Sequence, residues 1–235
     1  MKYKINVCLI ATRKYFIFAQ PLIDSICKYF LLRHDIEIYL FVDDYEREYT
    51  GDERVKIIKH KIASYGFPDA TLLRYHVMCS IKYEGDYIVY LDVDYLIVSE
   101  IDESFLGNIV AVLHPGFAEV GGGSWCDDKN SKAYTLPENR KKYYAGGTQL
   151  GKKEIYFNIM EQLRDAIQDD LDRGIICEHN DEQHWNKMLS ELKLFKVLDS
   201  SYCYVQQPHL QKLWKIDHLI PKILALEKDH NSIRN

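Results

Sequence analysis

The six cysteines of this chain form no C-x-x-C pair, which argues against a zinc site of the usual paired spacing. Cys8, Cys27, Cys79, Cys126, Cys177 and Cys203 are scattered, most of them in apolar surroundings. They read as small buried hydrophobes with free thiols, and hence as a chain from a reducing compartment. No run reaches the ~18 apolar residues that a membrane helix needs. The opening stretch, MKYKINVCLIATRKY, is interrupted by Arg13 and Lys14 too early for a signal peptide. There is no G-x-x-x-x-G-K-[ST] loop to grip phosphates. A basic field is missing too: 30 Lys and Arg are interspersed with 35 Asp and Glu for a net charge of -5, which argues against nucleic acid as the main partner. With no repeat, low-complexity segment or linker, the 235 residues read as one domain. The apolar fraction of 47% is enough for a substantial core and excludes disorder.

What is present is an alternation of periods. Lys4 to Ala11 (KINVCLIA), Ile36 to Val42, Val55 to Lys59, Tyr87 to Leu91 and Ile109 to Leu113 read as buried strands. Pro21 suits a first helical turn, with Leu22, Ile26 and Phe30 following at spacing four. A helical pattern runs from Ala70 through Leu73, Val77 and Ile81. A long helix is expected over Lys153 to Asp172 on a stripe of Ile155, Ile159, Leu163, Ile167 and Leu171, and another from Asp181 or Glu182 to near Glu191. Gly121 to Ser124 reads as a loop, and Tyr144 to Gly147 as a second segment of close backbone approach. Such alternation indicates an α/β domain with a largely parallel sheet, in which ligands sit beyond the carboxyl ends of the strands.

Asp92-Val93-Asp94 falls at one such end, inside the apolar stretch YIVYLDVDYLIV. Read as strand, the two carboxylates share a face, where they repel if both are ionised. A hard divalent cation, Mg²⁺ or Mn²⁺, removes that conflict by taking both carboxylates and completing its shell with water and a diphosphate. The alternative is a polar strand end in solvent. Asn180-Asp181-Glu182 is the second carboxylate group. At a helix start the macrodipole lowers carboxylate pKa values, which suits a nucleophilic or charge-stabilising role. The alternative is an ordinary N-cap and first turn. His114, before Pro-Gly, either bonds a substrate hydroxyl or caps a strand. Ala145-Gly146-Gly147 either admits a ligand to the backbone or makes a tight turn. Arg74 either binds phosphate or faces solvent, and Lys228 and Arg234 are either ligand contacts or solvated terminal charges.

Taken in order, these segments resemble glycosyltransferase family 6, the family of the histo-blood-group A and B transferases and the α-1,3-galactosyltransferases. The ordered set comprises IATRKY (Ile10 to Tyr15), FPDATLLRYHVM (Phe67 to Met78), LDVD, LHPGF (Leu113 to Phe117), YYAGG (Tyr143 to Gly147), NDEQHWNKML (Asn180 to Leu189) and KDHNSIRN (Lys228 to Asn235), and it spans nearly the whole chain. The resemblance implies a GT-A fold, a Rossmann-like mixed sheet flanked by helices. Residues 1–100 would mainly hold the nucleotide, and residues 101–235 the acceptor, the catalytic groups and a closing tail. It further implies α-retaining transfer of GalNAc, or Gal, from a UDP-sugar to a galactose-type acceptor such as a β-galactoside glycan, in α-1,3 linkage.

By the same resemblance, Asp92 and Asp94 would hold Mn²⁺, with Mg²⁺ as the substitute. Ile10, Ala11, Thr12 and Tyr15 would hold the uridine, and Val93 the ribose. Arg74, Lys228 and Arg234 would contact the remainder of the donor. Ala145, Gly146 and Gly147 would shape the pocket at the sugar's C2 substituent, where Gly at the last position points to GalNAc. His114, His179 and Asn180 would meet the acceptor. Asp181 would bind donor hydroxyls, and Glu182 would be the nucleophile or the stabiliser of an oxocarbenium-like pair. The family usually shows Trp-His where this chain has His179-Asn180. Many bacterial members carry Asn in place of both aspartates, so retention of the pair here implies metal dependence. With no anchor or stem, the chain resembles the microbial and phage branch, expected in the cytoplasm of a bacterial cell or infected host. The competing expectations are UDP-sugar hydrolysis without the true acceptor, or a binding module that has lost transfer.

Overall fold

The computed structural model describes residues 1–229, 232 and 233. In chain order the elements are β1 (Lys4–Ala11), α1 (Phe16–Tyr29), β2 (Asp35–Val42), β3 (Val55–Lys61), α2 (Asp69–Leu72), α3 (Arg74–Met78), β4 (Tyr87–Leu91), β5 (Tyr95–Ile97), β6 (Ile109–Leu113), β7 (Tyr144–Lys152), α4 (Lys153–Asp172), α5 (Asn180–Glu191), β8 (Lys196–Leu198), β9 (Tyr204–Val205), α6 (Pro208–Leu213) and β10 (Ile223–Ala225). Seven strands form one sheet in the order β3-β2-β1-β4-β7-β6-β8, and β5, β10 and β9 form a second, smaller one. The sheet is mixed: β3, β2, β1 and β4 run parallel, whereas β7 runs antiparallel to both β4 and β6. This is the α/β architecture expected of a GT-A glycosyltransferase.

The sheet is buried on both faces, and β1 shows why its strands read as near-continuous apolar runs. Ile5, Val7, Leu9 and Ala11 join one core with Leu22, Ile23 and Ile26 of α1. Cys8 and Ile10 point the other way, into a second core with Ile159, Met160, Leu163 and Ile167 of α4 and with Trp185 of α5. The period-2 alternation of a single strand thus divides the protein into two apolar layers.

Four local expectations are corrected. The first helix starts at Phe16, so Pro21 lies inside it, on an exposed position away from the buried Leu22–Ile26 stripe. The helix expected from Ala70 is two short ones broken at Leu73, and Ile81 lies beyond the second. On α4 the inward residue is Tyr156, while Ile155 is 41% exposed. Tyr144–Gly147 is neither loop nor tight turn but the first part of β7. The β6–β7 register jumps from Ala111↔Gln149 to Leu113↔Tyr144, so residues 145–148 have no β6 partner in the register, and the Asp92 N–H bonds the Gly147 carbonyl from the other side at 2.9 Å. Such irregularities re-aim a strand near a site.

Candidate active site

β4 ends at Leu91, and Asp92-Val93-Asp94 forms a turn into β5, closed by the Tyr95 N–H bonding the Asp92 carbonyl at 3.1 Å. The two carboxylates are therefore brought together by a turn rather than by strand alternation. Both line a cleft with Ile10, Thr12, Tyr15, Arg74, Val93 and Lys228. Ala11, one residue on from Ile10, turns its side chain into the core instead. A second, more polar space is lined by His114, Gly146, Gly147, His179, Asn180, Asp181 and Glu182. Phe67, Thr71, Arg74 and Asp92 belong to both walls, so the two spaces are the ends of one cleft. The side chain of Ala145 packs in the core. Arg234 lies outside the described residues.

Arg74 is the hub. It is only 3% exposed, so the solvent-facing alternative is set aside. Nη2 pairs with Asp92 Oδ1 at 3.1 Å, and Nη1 pairs with Asp181 Oδ2 at 3.0 Å and donates to the Gly146 carbonyl. Its guanidinium lies 4.1 Å from the centre of the Tyr90 ring, whose hydroxyl donates to Asp92 Oδ1 at 2.8 Å. Two carboxylates and a ring face hold its proton firmly, well above the usual guanidinium range despite burial.

Asp181 and Glu182 open α5, as the sequence suggests, but the macrodipole does not set their titration. Burial raises both: the Asp181 carboxyl is pushed up to about 7 against the pull of Arg74, and Glu182 is raised against the Gly146 N–H, which donates to its Oε2 at 2.8 Å. Taking a carboxylate out of water outweighs the half-charge at a helix end. The buried Tyr143 hydroxyl lies beside Glu182 without a hydrogen bond in direct geometry. Burial also lowers His114 to about 4, so its ring is neutral at pH 7, with Nδ1 accepting from the Gly116 N–H at 3.1 Å. Phe117, Tyr143 and Trp214 surround that ring.

The glycines of β7 have a local cause. A Cβ at Gly147 would lie 2.1 Å from the Tyr95 hydroxyl and 2.5 Å from Asp92 Oδ2, and one at Gly146 would press on Glu182 at 3.2 Å. The strand backbone can carry both carboxylates only where it has no side chains. Sequence reasoning missed Tyr90, Tyr95 and Tyr143. Each is a tyrosine in an apolar run, which period alone assigns to the core, although Tyr90 stands two residues before Asp92 and Tyr143 opens YYAGG.

A family described as Glycosyltransferase family 6 matches residues 1–235. The chain belongs to that family. Among relatives of this family-6 glycosyltransferase is the histo-blood group ABO system transferase 1 of Rattus norvegicus, 27% identical over 244 residues, covering 98% of this chain and 68% of the relative. The globoside alpha-1,3-N-acetylgalactosaminyltransferase 1 of Homo sapiens is 24% identical over 248 residues, with 98% and 68% coverage. Among the described residues no helix of the family-6 chain is long and apolar enough to cross a membrane.

Asp92 and Asp94 suit a divalent ion in their chemistry: two oxygen donors at one turn, beside a cleft. Asp92 Oδ1 is engaged by Tyr90 and Arg74 while Oδ2 faces Gly147, and Asp94 Oδ2 is ion-paired with Lys228 Nζ.

Proposed function

We propose that this glycosyltransferase moves GalNAc, with Gal as the alternative sugar, from a UDP-sugar to a galactose-type acceptor in α-1,3 linkage with retention. The observation that carries the reading is the Glu182–Gly146 hydrogen bond, which sets a half-buried carboxylate against β7 in the wall next to the Arg74 hub. The names of the globoside and ABO relatives support the transferase class and the N-acetylgalactosamine donor.

In this reading the uridine lies along Ile10, Thr12 and Tyr15, and the diphosphate turns at Asp92-Val93-Asp94. Asp92 and Asp94 would hold the Mn²⁺, whose chemistry there would be to supply positive charge to a leaving diphosphate. Arg74 fixes Asp92 and Asp181 in one frame, so the donor sugar meets positioned acceptors for its hydroxyls. The bond from sugar C1 to the diphosphate oxygen breaks with its electron pair on UDP. Glu182 either bonds C1 on the opposite face and is then displaced by the acceptor oxygen, or stays unbonded and balances the positive charge at C1; on either path the acceptor hydroxyl's proton passes to the departing diphosphate oxygen. His114, neutral and ringed by aromatic side chains, has its Nδ1 occupied by the Gly116 N–H and donates its Nε2–H to an acceptor oxygen on the open side, next to His179 and Asn180. The acetamido group at C2 would enter the polar space lined by His114, Gly146 and Gly147.

The test compares UDP release and product formation with UDP-GalNAc and UDP-Gal on a β-galactoside, with Mn²⁺ and with chelator. Glu182→Gln is expected to lose transfer while still binding UDP, measured by calorimetry. Transfer by Glu182→Gln at the unmodified rate, or undiminished activity in chelator, would overturn the assignment. A clear preference for UDP-Gal would overturn the donor.

A further inference from the structure

The catalytic helix α5 carries a second cluster on its far side. Asp170 at the end of α4, Cys177 in the connecting loop and His184 on α5 place one oxygen, one sulfur and one nitrogen within 4.8 Å of each other, and all three residues are buried. Cys126 Sγ lies 3.7 Å from Cys177 Sγ, about the edge of a tetrahedral thiolate pair around a zinc ion. Ser131 Oγ lies 2.6 Å from Asp170 Oδ2 and 3.2 Å from Cys177 Sγ. None of these groups enters the transfer described above.

The histidine makes the cluster more than a polar pocket. His184 Nδ1 is 3.2 Å from the Asn180 carbonyl, and Nε2 is 3.0 Å from Asp170 Oδ2. A carbonyl accepts only, so Nδ1 carries the proton and donates it. In the neutral ring this aims the Nε2 lone pair at a carboxylate oxygen, an acceptor facing an acceptor. A cation between them removes the conflict. A histidine anchored to a backbone carbonyl through its other nitrogen is also the usual support of a metal-bound imidazole. Arg173 acts on Oδ1 of Asp170, the Lys132 N–H bonds both oxygens, and Oδ2, which also takes the Ser131 hydroxyl, is the oxygen on the cluster side. The donor set of thiolate, imidazole and carboxylate suits zinc, and is too soft for Mg²⁺ or Mn²⁺.

We propose that Asp170, Cys177 and His184, completed by Cys126, form a structural zinc site distinct from the Asp92–Asp94 turn. It would tie the end of α4, the 173–179 connection and the start of α5 to the loop around Cys126. Because His184 grips the carbonyl of Asn180, immediately before Asp181 and Glu182, an occupied site would also hold the catalytic carboxylates in register.

The experiment uses the full chain. Protein purified without chelator, then freed of loosely held Mn²⁺, is expected to keep about one zinc per chain by elemental analysis. Replacement with Co²⁺ is expected to give thiolate-to-cobalt charge-transfer absorption that weakens in Cys177→Ser, which leaves only the Cys126 thiolate, and survives at full strength in Asp94→Asn. Should Cys177→Ser fail to fold, the unmodified chain still decides: no zinc retained and no charge-transfer band with Co²⁺ would overturn the site. A band that survives Cys177→Ser but vanishes in Cys126→Ser would overturn the ligand assignment. A Cys126–Cys177 disulfide found by thiol counting in the freshly isolated protein would overturn the proposal as well.

Discussion

At the residue scale, the site is a set of side chains whose positions exclude alternatives. Gly147 is the clearest: its missing Cβ is required by Tyr95 and Asp92 as well as by any donor. Gly147→Ala is therefore expected to displace Asp92 and to lower kcat/KM by about 100-fold, the cost of roughly 1 Å of misplacement at a reacting centre. Tyr95→Phe in the same chain removes the hydroxyl that the new methyl meets first, and steady-state kinetics should show partial recovery. No recovery would place the obstruction at Asp92 alone. Asp181 gives a pH prediction. Burial raises its folded pKa from 3.8 to about 7, so the folded chain holds a proton that the unfolded chain has released. This contribution to stability is full below about pH 4 and is lost as pH rises towards 7. Thermal unfolding in chelator should show Asp181→Asn with a flatter dependence than the unmodified chain across that window. Parallel curves would remove Asp181 from the account.

At the element scale, periodicity was most informative where one face of an element meets a core and least where the chain is set by distant partners. β1 and the bounds of α4 and α5 were legible because burial alone dictates them. The break at Leu73 and the early start of α1 were not, because pattern continues through both points and local backbone geometry decides. The start of β7 reads from sequence only as a segment of close backbone approach or a tight turn, because Ala-Gly-Gly carries no strand signal. It is held extended by partners distant in the chain: Leu113 of β6 opposite Tyr144, and the Asp92 N–H on the Gly147 carbonyl. Carboxylate identities were legible at Asp92, Asp94, Asp181 and Glu182, but their joining through Arg74 was not, since a single arginine on an apolar helix fits solvent equally well. The stripe on α4 makes a stability prediction. Leu163, 1% exposed, packs in the second core, and Leu163→Ala is expected to cost about 2–5 kcal/mol. Ile155, on the outer face, should cost under about 0.5 kcal/mol when changed to Ala, both measured by denaturant unfolding.

At the scale of the whole molecule, the tail and the cleft compete for the same charges. Lys228 Nζ is ion-paired with Asp94 Oδ2 and lies 5.6 Å from the centre of the Tyr15 ring, while Lys14 Nζ donates to the Ser232 carbonyl at 2.7 Å. The last described residues therefore lie over the cleft that the nucleotide would enter. Asp94 is only 7% exposed at its side chain, so an uncompensated charge there would be costly, and Lys228 offsets it. A divalent ion would take over that task and leave the Lys228 charge to face the negative diphosphate. The exchange couples tail position to metal binding, since each cation weakens the hold of the other on Asp94. Lys228→Met keeps the length of the stem and removes the charge. In the absence of nucleotide it is expected to bind Mn²⁺ about three- to tenfold more tightly, the equivalent of ~1 kcal/mol for a partly screened ion pair. The free Mn²⁺ signal in electron paramagnetic resonance reads this without turnover. The same variant should lower kcat, because the released cation no longer reaches the diphosphate. Unchanged or weaker Mn²⁺ binding in Lys228→Met would mean that the ion does not use Asp94, and the coupling between tail and metal would fall with it.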